Sequence, residues 1–219
     1  MTDEISMCLP KGGTMEPLAK LLDEVRFPVE DYNSKNRTYR LRIEDLPINV
    51  RGKIMAEKDV AIQIATGNYD IGFCGMYWVQ EHTSRYRAAK LHVFKRLGLD
   101  KKEVYTCSGL NSDIKSVDDL HRTDGFVTII SEYPNLAENF AIRNRLRKFK
   151  VFSAWGSVEA YPPEHADVVL IAVDDKNDLQ KMGLQPIAHR DRDIESDLCL
   201  IVNRKSFVEK NLAPVLRFF

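Results

Sequence analysis

The chain has 219 residues, of which 44% are apolar and 29% charged, and Lys plus Arg equals Asp plus Glu at 32 each. That length suffices for one large domain or two smaller lobes with cores of their own, and the balanced charge provides no global field to recruit nucleic acid or an anionic membrane. The four cysteines, Cys8, Cys74, Cys107 and Cys199, are widely spaced, lack a CxxC pair and mostly sit in apolar runs, a pattern of reduced, buried thiols that excludes a disulfide framework or a zinc site.

The opening MTDEISMCLP is acidic and lacks an apolar leader, and no apolar stretch reaches bilayer length, so a cytoplasmic location is expected. Short apolar strands then alternate with amphipathic helical patterns. A strand is predicted over residues 5–9, a Pro-Lys-Gly-Gly turn, and a helix over 15–25 with Leu18, Leu21, Leu22 and Val25 on one face. Strands follow at 40–43 and 50–55, a helix at 59–65 stopped by Gly67, and a strand at 70–74 closed by Gly75. Residues 90–97 and 103–107 read as extended and 116–121 as a short capped helix. A strand at 126–130 precedes a helix at 134–146 that begins on Pro134, a strand at 151–154 leads into Gly156-Ser157-Val158-Glu159, and an apolar strand at 168–173 leads into a short helix at 179–182. A strand at 198–203 and a helical tail at 206–219 complete the order. The alternation predicts an α/β protein with largely parallel sheets.

Several post-strand loops are candidates for chemistry. Lys11-Gly12-Gly13 can offer an ammonium and backbone N–H groups to an anion, though such a turn is also a common plain connection. In Asp70-Ile71-Gly72-Phe73-Cys74-Gly75 the glycines allow a ligand close to the backbone, and tight packing explains them equally well. The basic run Arg143-Asn144-Arg145-Leu146-Arg147-Lys148 lies at a predicted helix end, where a solvated cationic face suits the helix dipole. His82, His92, His121, His165 and His189 show no metal-ligand spacing, so no metal site built from protein ligands is expected. Asp174-Asp175-Lys176-Asn177-Asp178 follows a strand and opens a helix, a position that favours anions, yet it carries three carboxylates.

In order along the chain, Leu9-Pro10-Lys11-Gly12, the GNYDIGFCG stretch ending at Gly75, Tyr133-Pro134-Asn135-Leu136, Gly156-Ser157-Val158-Glu159, Ala166-Asp167, Gly183-Leu184 and Leu200-Ile201-Val202-Asn203-Arg204 resemble ATP phosphoribosyltransferase in its short form. The resemblance covers nearly the whole chain. It implies a two-lobed α/β fold like that of type II periplasmic binding proteins, with the active site in the interlobe cleft. Residues 1–87 plus 190–219 would form lobe I and 88–189 lobe II, with the chain crossing near 85–90 and 185–190. Family members join phosphoribosyl pyrophosphate to N1 of ATP with magnesium, and short forms pair with a regulatory subunit related to histidyl-tRNA synthetase. A homodimer is expected on the same ground.

The departures from the family fall at the chemistry. Its phosphoribosyl pyrophosphate loop reads close to Glu-Thr-Gly-Thr-Thr where this chain has Asp174 to Asp178. The acid on its strand falls on Ile171, its arginine after Pro-Lys-Gly on Gly13, another arginine on Ala56, and an aspartate on Tyr77. A carboxylate about 5 Å from a phosphate, at an effective dielectric near 20, costs on the order of 3 kcal/mol, more than the roughly 0.3–1 kcal/mol a helix N-terminus returns. Three readings follow. The first is a repurposed enzyme whose loop, Asp174, Asp175, Lys176, Asn177 and Asp178, takes the cationic group of a nucleoside such as S-adenosylmethionine, for transfer or intramolecular displacement. The second retains phosphoribosyl transfer: Lys11 and Glu159 act in catalysis, Gly12, Gly13, Asp70, Gly72, Cys74, Gly75, Tyr77 and Ser157 hold the ligand, and magnesium accompanies the pyrophosphate. The third is a non-catalytic binding or regulatory paralogue. The acidic loop also has a purely local reading, because Asp caps helices well.

Overall fold

The computed structural model describes residues 4–188 and 194–219. The chain begins with β1 (Ile5–Lys11), α1 (Met15–Glu24), β2 (Val29–Glu30), β3 (Arg40–Ile43), β4 (Val50–Ala56), α2 (Glu57–Thr66), β5 (Ile71–Gly75), α3 (Met76–Arg85) and β6 (Leu91–Arg96). Next come β7 (Lys102–Gly109), α4 (Val117–Arg122), β8 (Val127–Ser131), α5 (Pro134–Arg143), β9 (Phe149–Ser153), β10 (Val168–Val173), α6 (Asn177–Lys181), β11 (Leu184–Pro186) and β12 (Ile194–Ser196). The chain then returns with β13 (Leu198–Asn203), α7 (Arg204–Glu209) and α8 (Ala213–Leu216). Two compact units result, one of the described residues up to Asp100 together with Asp197–Phe219, the other running from Lys101 to Ser196. These limits differ from the expected 87/88 and 189/190. The first moves later because β6 is hydrogen-bonded to β13 in the first unit's sheet; the second expected limit and part of the 185–190 crossing lie outside the described residues.

The first unit holds a sheet in the order β2-β3-β4-β1-β5-β13-β6. Strands β4, β1 and β5 are parallel, while β13 runs antiparallel to both β5 and β6. Alternation sorts the side chains to its two faces. Ile5, Met7, Leu9, Ile71, Phe73, Leu198, Leu200 and Val202 pack with Leu18 and Leu22 of α1 and with Leu212, Val215 and Leu216 of the tail. On the other face Cys8, Cys74, Cys199 and Ile201 meet Val60, Ala61 and Ile64 of α2. Both faces are therefore covered, which is why these strands read as continuous apolar runs. The second unit's sheet runs β11-β7-β10-β8-β9, with β12 also on β7. Here β10, β8 and β9 are parallel and β7 is antiparallel to β10, β11 and β12. Both sheets are mixed, not largely parallel as expected: β13 enters the first antiparallel to β5 and β6, and β7 runs antiparallel to β10, β11 and β12 in the second, directions that the local apolar runs do not encode. All four cysteines are buried and unbridged.

Two other expectations change. Helix α3 has no counterpart in the sequence reading. The predicted single tail helix is two short ones, since Lys210 is extended and Pro214, which has no N–H, stands in the first turn of α8. Asn203 starts α7 by accepting the Lys205 and Ser206 amides at 2.9 and 3.0 Å.

Asp70, just ahead of β5, clamps this returning tail. Its carboxylate accepts from the Ser6 amide at 2.8 Å, the Ser6 hydroxyl at 2.9 Å and Lys210 Nζ at 2.8 Å. Burial alone would raise its pKa, but Lys210, Ser206 and Ser6 outweigh burial and hold it below the usual carboxylate value. The clamp is thus complete above the unfolded carboxylate pKa and is lost as pH falls through the lower folded one. Lys210→Met should cost about 2–3 kcal/mol near neutral pH, less than for a fully buried pair because Lys210 is partly solvated. Chemical denaturation should show that penalty shrinking in acid; a penalty independent of pH would contradict the clamp.

Candidate functional site

The carboxyl ends of β1, β4 and β5 lie side by side, with Lys11 in register with Ala56. Loops at that edge of a parallel sheet are where α/β proteins hold ligands. Here the centre of the edge is filled by Glu57, the first residue of α2. Its carboxylate accepts from the Gly75 amide at 2.6 Å and from Thr14 Oγ1 at 2.8 Å, and the Tyr77 hydroxyl approaches at 3.2 Å. Thr14 Oγ1 is also 3.0 Å from Asp100 Oδ2. One hydroxyl proton cannot serve two carboxylates at once. Burial, partly offset by the Gly75 and Thr14 bonds and reinforced by Asp100, pushes the Glu57 carboxyl above its ordinary value. Beneath it, the Tyr32 hydroxyl donates to the Pro10 carbonyl at 2.7 Å and fixes the end of β1.

Several residues expected to hold a ligand have structural duties instead. Asp70 is the tail clamp at the opposite end of β5. Cys74 is core, and a Cβ on Gly72 would lie 2.7 Å from Val60 Cγ1 and 3.0 Å from Cys8 Sγ. The packing explanation of that glycine therefore suffices. Gly75 directs its amide at Glu57, so this turn presents an internal carboxylate where a ligand anion was expected. Tyr77 is buried, and its ring leaves no room for a Cβ on Gly75. Lys11, Gly12 and Gly13 are exposed, and beyond the adjoining residues no described heavy atom lies within 4 Å of where Cβ atoms on the two glycines would be.

Beside this loop is a cavity of about 560 Å³, lined among others by Lys11, Tyr39, Arg40, Lys53, Asp59 and Tyr69. Lys11 Nζ lies 5.3 Å from the Tyr39 ring centroid. Arg40 and Lys53 are directly opposite across the β3–β4 ladder, a like-charge pairing that destabilises a sheet unless an anion lies between. Tyr39 holds φ 56 to turn into this corner. The sequence reading found only Lys11 here. The available signal was the repeated cation on strands flanking a turn, but register is needed to pair Arg40 with Lys53.

In the second unit the loop after β10 does not gather its carboxylates. Asp174 faces Lys102 at 3.4 Å, Asp178 pairs with Lys181 at 2.7 Å, and Asp175 Oδ1 accepts the Asn177 amide at 2.8 Å. That backbone bond, then the Asn177 side chain, lowers the Asp175 pKa. Lys176 lies 5.5 Å from the Tyr105 ring centroid. The amides of Asp178 and Leu179 bond to Asp175 and Lys176 carbonyls. The geometry is that of an aspartate turn opening a short helix, with neither a cationic pocket nor a phosphate cradle. Ile171 is buried core. On the neighbouring loop Gly156 and Ser157 are both left-handed, with φ 82 and 52, and Glu159 follows in a single 3-10 turn. Gly156 donates its amide to Glu132 at 2.6 Å. Among the described residues no group of three or more His, Cys, Asp or Glu is placed to hold a metal ion, and no helix is long and apolar enough to cross a membrane.

A model of the HisG ATP phosphoribosyltransferase family matches residues 56–217. The chain belongs to the ATP phosphoribosyltransferase family. The enzyme of Pelodictyon phaeoclathratiforme is 23% identical over 203 residues, 93% of this chain and 65% of that protein. That of Teredinibacter turnerae is 26% identical over 212 residues, 95% of this chain and 90% of its own length. The chain thus spans 65% of the first of these relatives. Among solved structures, the ATP phosphoribosyl transferase (HisG:HisZ) complex from Thermotoga maritima aligns with a TM-score of 0.73 at 17% identity, over 94% of this chain and 90% of that one. The alkanesulfonate-binding protein SsuA from Xanthomonas axonopodis pv. citri bound to MOPS aligns at 0.55 and 14% identity, over 95% and 68%. The fold is that of type II periplasmic binding proteins, as the motifs implied.

Two outcomes test this site. Because the folded Glu57 pKa is raised, its stabilising form is the protonated one, present below the unfolded pKa and lost as pH rises through the folded value. The melting temperature of Glu57→Gln minus that of the parent should therefore climb from about pH 4 to about pH 8; a flat difference would remove Glu57 as a strained acid. The double variant Asp175→Asn, Asp178→Asn should keep both melting temperature and nucleotide affinity, since Asn forms the same turn. Calorimetric loss of affinity for any nucleoside would restore a ligand role to the loop.

Proposed function

We propose that this chain is a nucleotide-binding transferase of the ATP phosphoribosyltransferase type, with a weakened hold on the sugar-phosphate donor. The observation that carries the reading is the cross-strand Arg40–Lys53 pair facing, with Lys11, one cavity of the first unit. Three cations suit a triphosphate, and Tyr39 and Tyr69 offer ring faces to a base. In the family's reaction N1 of ATP attacks C1 of phosphoribosyl pyrophosphate as the bond to pyrophosphate breaks. Here Lys11 would stabilise phosphate charge and Glu159, with Ser157, would orient the ribose. Magnesium would accompany the substrate's pyrophosphate. Weak donor binding follows from the loop after β10, where the Asn177, Asp178 and Leu179 amides are engaged within the turn and the carboxylates are held by Lys102, Lys181 and the Asn177 amide. For the same reason the sulfonium-nucleoside reading lacks support: each of Asp174, Asp175 and Asp178 already has a partner. A HisZ-like partner, as in the named HisG:HisZ complex from Thermotoga maritima, or a second copy of this chain would complete the assembly.

The test is calorimetry with ATP, followed by turnover with phosphoribosyl pyrophosphate and magnesium. ATP should bind, Lys11→Ala and Arg40→Ala should each weaken it roughly tenfold or more, and phosphoribosyl-ATP should form slowly. ATP binding without any transfer would make the chain a non-catalytic paralogue. Affinity indifferent to both substitutions, or tight binding of S-adenosylmethionine instead, would overturn the assignment.

A further inference from the structure

The basic run at the end of α5 is more than a solvated helix terminus. Arg143, Arg145 and Arg147 line one cavity of the second unit, about 1030 Å³, together with Ser116, Asp118 and His121. None of the three guanidinium groups has an ion pair or hydrogen bond among the described residues, and all three residues are exposed. Three like charges gathered on one concavity repel one another unless an anion is brought in. The backbone at this helix end is left-handed, as it also is at Arg26 after α1. Helix α5 closes with the Arg145 amide on the Ile142 carbonyl at 3.0 Å and the Leu146 amide on the Ala141 carbonyl at 2.9 Å. In this closing turn Arg145 itself holds φ 55, the left-handed position that glycine fills at low cost in most helices. An arginine there is strained, and its side chain is delivered to the cavity.

Place in the fold separates this cavity from the loops described above. Helix α5 runs from the carboxyl end of β8 back to the amino end of β9, where the Val127 amide bonds to the Lys148 carbonyl at 2.9 Å. The arginines therefore stand at the amino ends of β8 and β9, while Gly156 to Glu159 and Asp174 to Asp178 follow carboxyl ends of β9 and β10. We propose that this cavity is a second anion site, taking a small molecule that carries two or more linked phosphates. Planar guanidinium groups bind phosphate oxygens in pairs, and three of them against one carboxylate, Asp118, among the described lining residues exceed what one carboxylate or one phosphate needs. No Phe, Tyr or Trp is among the described residues that line the cavity, so they do not form the large stacking platform of a single-stranded nucleic-acid site. Its volume is in the small-ligand range.

Inorganic tripolyphosphate is the probe, titrated calorimetrically into the full chain at low ionic strength in the Lys11→Ala background, so that the first unit's cavity is weakened. One saturable site should remain, losing affinity as salt is raised. Adding Arg145→Gly should weaken it at least about tenfold, with an equal or higher melting temperature because glycine suits the turn. Arg143→Gln and Arg147→Gln should each weaken it as well. The proposal falls if Lys11→Ala alone removes all binding, if Arg145→Gly leaves affinity unchanged, or if a poly-glutamate peptide binds more tightly than tripolyphosphate. Failure here leaves the nucleotide reading of the first unit standing, since that reading is tested by ATP and the parent Lys11.

Discussion

The first unit depends on a strand that arrives about a hundred residues after its neighbours. β13 inserts between β5 and β6, antiparallel to both, and all six of its residues are buried. Inserting a strand into a sheet removes an exposed edge on each side, so the unit's core closes only when the tail has returned. Asp70 and Lys210 then tie the end of that return to β1. Phe218 and Phe219 extend the same seal, edge-on to Phe27 at 5.3 Å and to Phe73 at 5.1 Å. The loops at the carboxyl edge are held by this closure: the Met76 amide bonds to the Asp197 carbonyl at 3.0 Å, fixing the start of α3 just ahead of β13.

At that carboxyl edge the protein has replaced external charge with its own. Glu57 takes the Gly75 amide, and in the second unit Asp175 takes the Asn177 amide. Both are backbone donors at positions where α/β proteins commonly meet ligand phosphates. An internal carboxylate blocks such a donor twice over, by occupying it and by repelling a second anion. Cations that face open cavities are Lys11, Arg40 and Lys53 in the first unit, and Arg143, Arg145 and Arg147 in the second.

Residue pattern made much of the architecture legible. The runs at β1, β5, β8, β10 and β13 are apolar and bounded by Gly, Pro or charged residues, so their existence and order could be read locally. Helix α3 was missed because it begins directly after Gly75, and Tyr77, Val79 and Glu81, its buried positions, follow a period near two instead of a helical stripe. The tail was read as one helix because its apolar spacing is helical, whereas the lack of a proline N–H at Pro214 breaks it. Glu57 gave no signal in sequence, since its partners Thr14, Gly75 and Tyr77 are far from it along the chain.

The ordered landmarks from Leu9 to Arg204 determined family and fold, because short motifs at fixed separations encode which strands end in which turns. Composition determined that the cysteines would be buried and reduced, as apolar neighbours exclude water and partners alike. Tertiary structure alone decided which charges are occupied. Asp70 looked like a ligand residue until Lys210 reached it, and three consecutive-looking acids in the loop after β10 proved to face three separate cations or amides. The physical reason is one of range: periodicity and turn chemistry act over a few residues, whereas a carboxylate's role is set by whichever donor lies within about 3 Å. In a discontinuous unit that donor can come from the other end of the chain.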